Sequence, residues 1–156
     1  MKKLKLDLKM TKELYDKHSD LIQRGECYNN CINILILRLL DDFKNKKYKI
    51  GYCYVGGKDY YLIRHCVLIH NNKVIDLSAL TKYSYEELKE KYKSENIEYY
   101  VFAQLDALQL HTLLNKEDRV ADLKETLYPY EIEILDICKK KDLKINDYDY
   151  NKYFLK

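Results

Sequence analysis

A cysteine that opens an apolar helix and a histidine in the middle of an apolar strand are the residues of this chain best suited to covalent chemistry. Cys27 follows Gly25-Glu26 and stands at the first turn of a segment rich in Ile and Leu. There, unpaired backbone N–H groups and the positive end of the helix dipole favour thiolate over thiol. Its own N–H and that of Tyr28 are placed to receive an oxyanion developing on a bound carbonyl. Cys27 has a plainer reading too, as a small apolar residue at the edge of the core.

His65 breaks the tie. It sits within Leu62-Ile-Arg-His-Cys-Val-Leu-Ile-His70, where strand alternation puts His65, Val67 and Ile69 on one face and Cys66, Leu68 and His70 on the other. With Asn71-Asn72 as a two-residue hairpin loop, His70 faces Lys73, Ile69 faces Val74, Leu68 faces Ile75 and Val67 faces Asp76. Asp76 then shares a face with His65 as a diagonal neighbour, ~7–8 Å away, near enough to orient the imidazole through one ring nitrogen. His70, on the opposite face beside the turn, reads as solvated. A thiol at a helix start, a base on one strand and a carboxylate on the next form the parts of a cysteine hydrolase or acyltransferase.

The elements that must position these groups follow from pattern. Residues 3–10 alternate as a strand or extended arm, and Thr11 offers an N-cap to a first helix closed by Arg24-Gly25. Cys27 to Phe43 is too densely apolar for a surface stripe and predicts a buried central helix. Strands are expected at Tyr48–Val55, Tyr60–His70, Lys73–Leu77 and Ile97–Phe102, with a capping box at Ser84 and Glu87 opening a helix to about Lys93. Ala103–Leu114, Arg119–Leu127 and Tyr130 to about Lys140 read as helices. Consecutive strands joined by hairpin turns predict a small antiparallel sheet with helices packed on it, the α+β class.

Composition narrows the function classes. The chain has 156 residues, 28 basic against 25 acidic, with charges that alternate rather than cluster, so no nucleic-acid partner is expected. The apolar run Cys31–Leu40 is interrupted by Asn33 and Arg38 and is too short to span a bilayer, so no membrane partner is expected either. The start lacks a signal-peptide pattern and the five cysteines are odd in number, which suits a cytoplasmic protein with reduced thiols. Abundant Lys, Tyr, Asn and Ile with no Trp suggest an AT-rich genome, such as that of a low-GC bacterium or its phage.

The run Glu26-Cys-Tyr-Asn-Asn30, then Tyr48-Lys-Ile-Gly-Tyr-Cys-Tyr54, then His65-Cys-Val-Leu-Ile-His-Asn-Asn-Lys-Val-Ile-Asp76 resembles the papain-like and transglutaminase-like superfamily. More closely it resembles small bacterial and phage proteins with a Cys-aromatic-x-Asn motif, a Gly-containing strand and a His strand ending in Val-Ile-Asp. The resemblance spans about residues 22–80. It implies a minimal or circularly arranged papain-like core over about residues 11–102, with Cys27 as nucleophile, His65 as general base and Asp76 as orienting acid, in a single domain 1–156 with a helical part from about 103. Such proteins carry Ala-Trp after the His and Pro-Thr after the Asp, where this chain has Cys66-Val67 and Leu77-Ser78. A Gln shortly before the nucleophile completes the oxyanion hole in many of them; Gln23 either fills that role or is an exposed helix-end residue.

Other readings of these residues remain beside it. Asn30, like Asn29, either bonds the loop bearing His65 or satisfies the first turn of the helix. Cys27, Cys31, Cys53 and Cys66 do not show a metal-specific spacing, so neither metal nor cofactor is expected. The Tyr60-Tyr61 and Tyr99-Tyr100 pairs are either a binding wall or strand residues with one wet end. The expected substrate is a protein, a peptide-like molecule or a small amide. The alternative is an inactive binder on the same fold that captures a partner protein or small ligand.

Overall fold

The computed structural model describes residues 2–57 and 62–115, with Asp136 and Lys140 besides. In chain order it contains β1 (Lys2–Leu6), α1 (Leu8–His18), a 3-10 turn (Ser19–Leu21), α2 (Cys27–Leu37) and α3 (Leu40–Lys44). Then come β2 (Tyr48–Gly56), β3 (Ile63–His70), β4 (Lys73–Ile75), a second 3-10 turn (Ser78–Thr81), α4 (Tyr85–Ser94), β5 (Glu98–Leu105) and α5 (Ala107–Leu114). The helices expected at 119–127 and 130–140 fall outside the described residues.

The mixed α+β class is as expected, but the sheet is not a simple antiparallel one. The strands close into a barrel in the order β1-β4-β3-β2-β5. Of residues 3–10, read as a strand or arm, only the first part supplies the closing stave, because α1 already begins at Leu8: β1 runs parallel to β4 (Leu6 beside Val74) and antiparallel to β5 (Leu4 beside Tyr99). The β3–β4 hairpin has the expected register, with Leu68 opposite Ile75, Ile69 opposite Val74 and His70 opposite Lys73. Asn71 and Asn72 both adopt left-handed backbone, φ 50° and 57°, as a two-residue type I′ loop requires.

Closure separates two apolar cores. One fills the barrel, with Leu4 and Leu6 of β1, Cys53 of β2, Val67 and Ile69 of β3, Val74 of β4, and Tyr99 and Val101 of β5. The other lies between the outer face of β2, β3 and β5 and the helices, where Ile34 and Leu35 of α2 meet Tyr52, Tyr54, Cys66, Leu68 and Phe102. A β-bulge lets β5 serve both. Tyr52 pairs with Ala103 and Cys53 with Val101, so Phe102 is the extra residue, and Phe102 and Ala103 both face the helices while Val101 stays inside.

Several boundaries differ from the sequence reading for local reasons. Asp7, not Thr11, caps α1 by accepting from the Met10 N–H, and Thr11 is fully buried one turn further on. The α1 segment ends at His18 and passes through the 3-10 turn before Gly25 takes the left-handed conformation at φ 82°. The helix expected over 27–43 breaks at Arg38 and Leu39, whose φ values are −128° and −124°, and the Arg38 guanidinium bonds Asp20 at 3.0 Å. Nor is α2 buried all round: Asn30, Cys31, Ile34 and Leu35 face the barrel, whereas Ile36 and Leu37 are exposed. The last described helix begins at Ala107 rather than Ala103, because Ala103, Gln104 and Leu105 remain paired to β2 and Asp106 forms a capping box with Gln109. The capping box at Ser84 and Glu87 forms as the spacing predicts.

Candidate functional site

Cys27, His65 and Asp76 meet at one mouth of the barrel. Asp76 directly follows β4, and His65 lies near the start of β3, so the antiparallel hairpin brings both to the same end. The gap is closed by a 2.9 Å hydrogen bond between His65 Nε2 and Asp76 Oδ1. The Cys27 side chain, carried on the start of α2, lies close enough to the His65 ring to favour its charged form. With Nε2 engaged by the carboxylate, Nδ1 is the nitrogen left for the thiol.

The carboxylate is held on every side. Oδ1 also accepts from the Ala79 N–H at 3.1 Å, and Oδ2 accepts from the Tyr99 hydroxyl at 2.9 Å. The Asp76 N–H donates to Thr11 Oγ1 at 3.2 Å. The side chain of Asp76 is 5% exposed and that of His65 15%, so the acid is sealed while the edge of the imidazole reaches solvent.

Burial alone would push the His65 ring toward neutrality, but the Asp76 charge and the hydrogen bond to it prevail and raise its pKa well above the ordinary value. For Asp76 burial pushes the pKa up, and the His65 charge, the His65 and Tyr99 hydrogen bonds and the Ala79 N–H bring it below the ordinary carboxylate range. Both shifts favour the charged forms of the two partners.

The start of α2 carries no side-chain cap, and neither does that of α3. Asp7, Ser84 and Asp106 cap α1, α4 and α5 with side-chain oxygens, whereas Glu26, the N-cap of α2, makes no side-chain cap bond. The return bonds of the helix begin with Asn30 N–H donating to Glu26 O at 2.7 Å. The N–H groups of Cys27 and Tyr28 thus precede the hydrogen-bonded ladder, where a helix offers donors to an anion.

The supporting residues take roles that the sequence only partly indicates. Asn30 is 1% exposed and bonds neither the His65 loop nor its own helix turn. Its Oδ1 accepts from Gln23 N–H at 2.8 Å, and its Nδ2 donates to Gln23 O at 2.8 Å and to Ser78 Oγ at 3.0 Å. Asn29 serves the helix turn, donating to Glu26 Oε2 at 2.7 Å. Gln23 is exposed, and its backbone rather than its side chain carries these bonds. The Tyr28 ring tilts against Tyr52 with centroids 5.7 Å apart, and burial pushes its phenol pKa up, which keeps the hydroxyl neutral.

Tyr99 and Thr11 are the contributors the sequence reading missed. Tyr99 lay in one of the singled-out tyrosine pairs, and its inward alternation with Val101 was the available signal. Thr11 was read as a cap because it begins an apolar periodicity.

The other described thiols differ from Cys27. Cys31, Cys53 and Cys66 are buried, Cys27 is partly exposed, and all four are free. Burial pushes the Cys53 and Cys66 thiols well above the ordinary range. Among the described residues no cluster of three or more His, Cys, Asp or Glu is arranged to hold a metal ion, and no helix is long and apolar enough to cross a membrane. A surface groove lined by Ile36–Asp42 lies at the far end of α2 from Cys27, roughly 15 Å along the helix.

Comparison of the chain with known protein families, curated proteins and solved structures finds no match.

Proposed function

We propose that this protein is a cysteine-dependent hydrolase or acyltransferase acting on an amide or peptide-type bond, built on a papain-like or transglutaminase-like core. The observation that carries the reading is the His65 side chain, hydrogen-bonded to Asp76 at 2.9 Å with the partly exposed Cys27 beside its ring. The unmatched N–H groups at the start of α2 support it.

His65 takes the proton of Cys27 or holds it in a thiolate–imidazolium pair, and Asp76 fixes the tautomer of the ring. The sulfur attacks the carbonyl carbon, and the carbonyl electron pair moves onto oxygen, where the Cys27 and Tyr28 N–H groups receive it. As the C–N bond breaks, the imidazolium gives its proton to the departing amine and a thioester forms. Water or a second amine then attacks the thioester, losing a proton to His65, and the sulfur leaves. Hydrolysis, deamidation and transfer share these steps and differ in which acceptor reaches the acyl-enzyme. A protein, a peptide-like molecule or a small amide fits this chemistry, and a reducing cytoplasm suits its free thiol.

Alkylation of the native protein with iodoacetamide across pH, mapped by peptide mass spectrometry in wild type and His65→Ala, tests the proposal. An ordinary thiol is only about 3% thiolate at pH 7. A Cys27 activated by His65 should be labelled faster than such a thiol of equal exposure, and His65→Ala should remove most of that advantage. Labelling of Cys27 no faster than that of Cys31, Cys53 and Cys66 would overturn the enzyme reading in favour of a binder on this fold.

A further inference from the structure

Asp76 has two oxygens, and the chemistry proposed for the site uses only one. Oδ1 faces His65, while Oδ2 points into the barrel and meets the hydroxyl of Tyr99, a residue 2% exposed and on a different strand. A buried phenol needs a partner for its O–H, and a buried carboxylate needs its lone pairs filled. Each answers the other. Antiparallel pairing with β1 sets Tyr99 beside Leu4, and its inward alternation aims the ring at the hairpin end where Asp76 sits.

We propose that Tyr99 is a positioning residue of this site: by occupying Oδ2 it stops the Asp76 carboxylate from rotating and commits Oδ1 to His65. The inference rests on the reading of Cys27, His65 and Asp76 as the reacting set. The titratable groups around Asp76 are His65 from β3, Tyr99 from β5 and Cys53 from β2, with Tyr92 of α4 beyond Tyr99. Tyr92 is occupied by the Leu6 N–H, which donates to its hydroxyl at 3.0 Å. Thr11 meets the Asp76 backbone N–H and Ala79 offers its own N–H to Oδ1, so among the described residues Tyr99 and His65 are the side chains that bond the carboxylate oxygens.

Tyr99→Phe keeps the ring in the barrel and deletes only the donor. The carboxyl carbon of Asp76 and the ring nitrogens of His65 are followed by NMR across pH in wild type, Tyr99→Phe, Asp76→Asn and the double variant. In Tyr99→Phe the Asp76 midpoint should rise by about one pH unit, the scale of one lost hydrogen bond to a charged group. The His65 ring should show a second orientation. On the Asp76→Asn background the tyrosine change should leave the His65 signals where they were. Superposable Asp76 titrations, or an equal effect on both backgrounds, would overturn the proposal. Should Tyr99→Phe fail to fold, Tyr99→3-fluorotyrosine supplies a stronger donor and should move the midpoint the opposite way; an unmoved midpoint would again overturn it. Cys27 labelling in the same samples reports on the enzyme reading separately, since the Asp76 titration can be followed whether or not the thiol is reactive.

Discussion

Asn30 donates to Ser78 at 3.0 Å, tying the helix that begins with Cys27 to the turn that follows Asp76. The same amide grips both backbone groups of Gln23, so one buried side chain joins the segment before the thiol, the helix bearing it and the loop beyond the acid. Asn30→Ala should destabilise the protein by about 1–3 kcal/mol, the penalty for buried groups left without partners. Urea unfolding measures that loss. Because the bond spans the two halves of the site, Cys27 labelling in the folded variant should also slow, whereas a purely structural role would leave it unchanged.

The His65–Asp76 couple predicts a stability plateau with two edges. His65 binds its proton more tightly in the native state, so its contribution is complete below the unfolded midpoint of about 6.5 and is lost as pH rises through the higher native value. Asp76 binds its proton more weakly, so its contribution is complete above the unfolded midpoint of about 3.9 and is lost as pH falls through the lower native value. The stability difference between wild type and His65→Gln, from thermal melts, should be greatest between about pH 4 and 6.5. Every tenfold tightening of the His65 proton is worth about 1.4 kcal/mol. A difference that grows above pH 7 would contradict the assignment.

Gly51 is a packing requirement. A Cβ there would stand 2.9 Å from Ile69 Cγ1 and 3.2 Å from Val67 Cγ2, inside the barrel. Gly51→Ala should cost about 1–3 kcal/mol as an overpacked core. Pairing it with Ile69→Val should recover part of the loss, and additive losses in denaturant unfolding would refute the steric cause.

The capping box of Asp106 should be separable from the Cys27–His65–Asp76 site. Asp106→Ala removes the acceptor for the Gln109 N–H at 2.9 Å and should lower stability by about 0.5–2 kcal/mol. It lies on the helix after β5, away from the barrel mouth, so Cys27 labelling at neutral pH should match wild type.

What the sequence disclosed was governed by short-range rules. Asn71-Asn72 admits one compact hairpin, so the register that brings His65 to Asp76 could be counted from residue types. Ser84 and Glu87 likewise announced a cap three residues long. Tyr99, Thr11 and the clamp of Asn30 were hidden because each depends on contacts far along the chain: Thr11 reaches Asp76 across 65 positions and Asn30 reaches Ser78 across 48. The bulge at Phe102 was hidden for a different cause. It breaks the period-two alternation from which β5 would be read, placing two successive residues on one face.

The parallel pairing of β1 with β4, and its pairing with β5, also ties the surroundings of Asp76 to closure of the barrel. Lys2 lies beside Val101, and Thr11, just after β1, supplies the hydroxyl that meets Asp76. The β3–β4 hairpin can form locally and join His65 to Asp76 early, but contacts of such long separation form slowly. The acid therefore receives Tyr99 and Thr11 only when the first strand docks against the last. With the barrel open the hairpin and Cys27 would lack the grip of Tyr99 and Thr11 on Asp76, so the complete arrangement depends on closure.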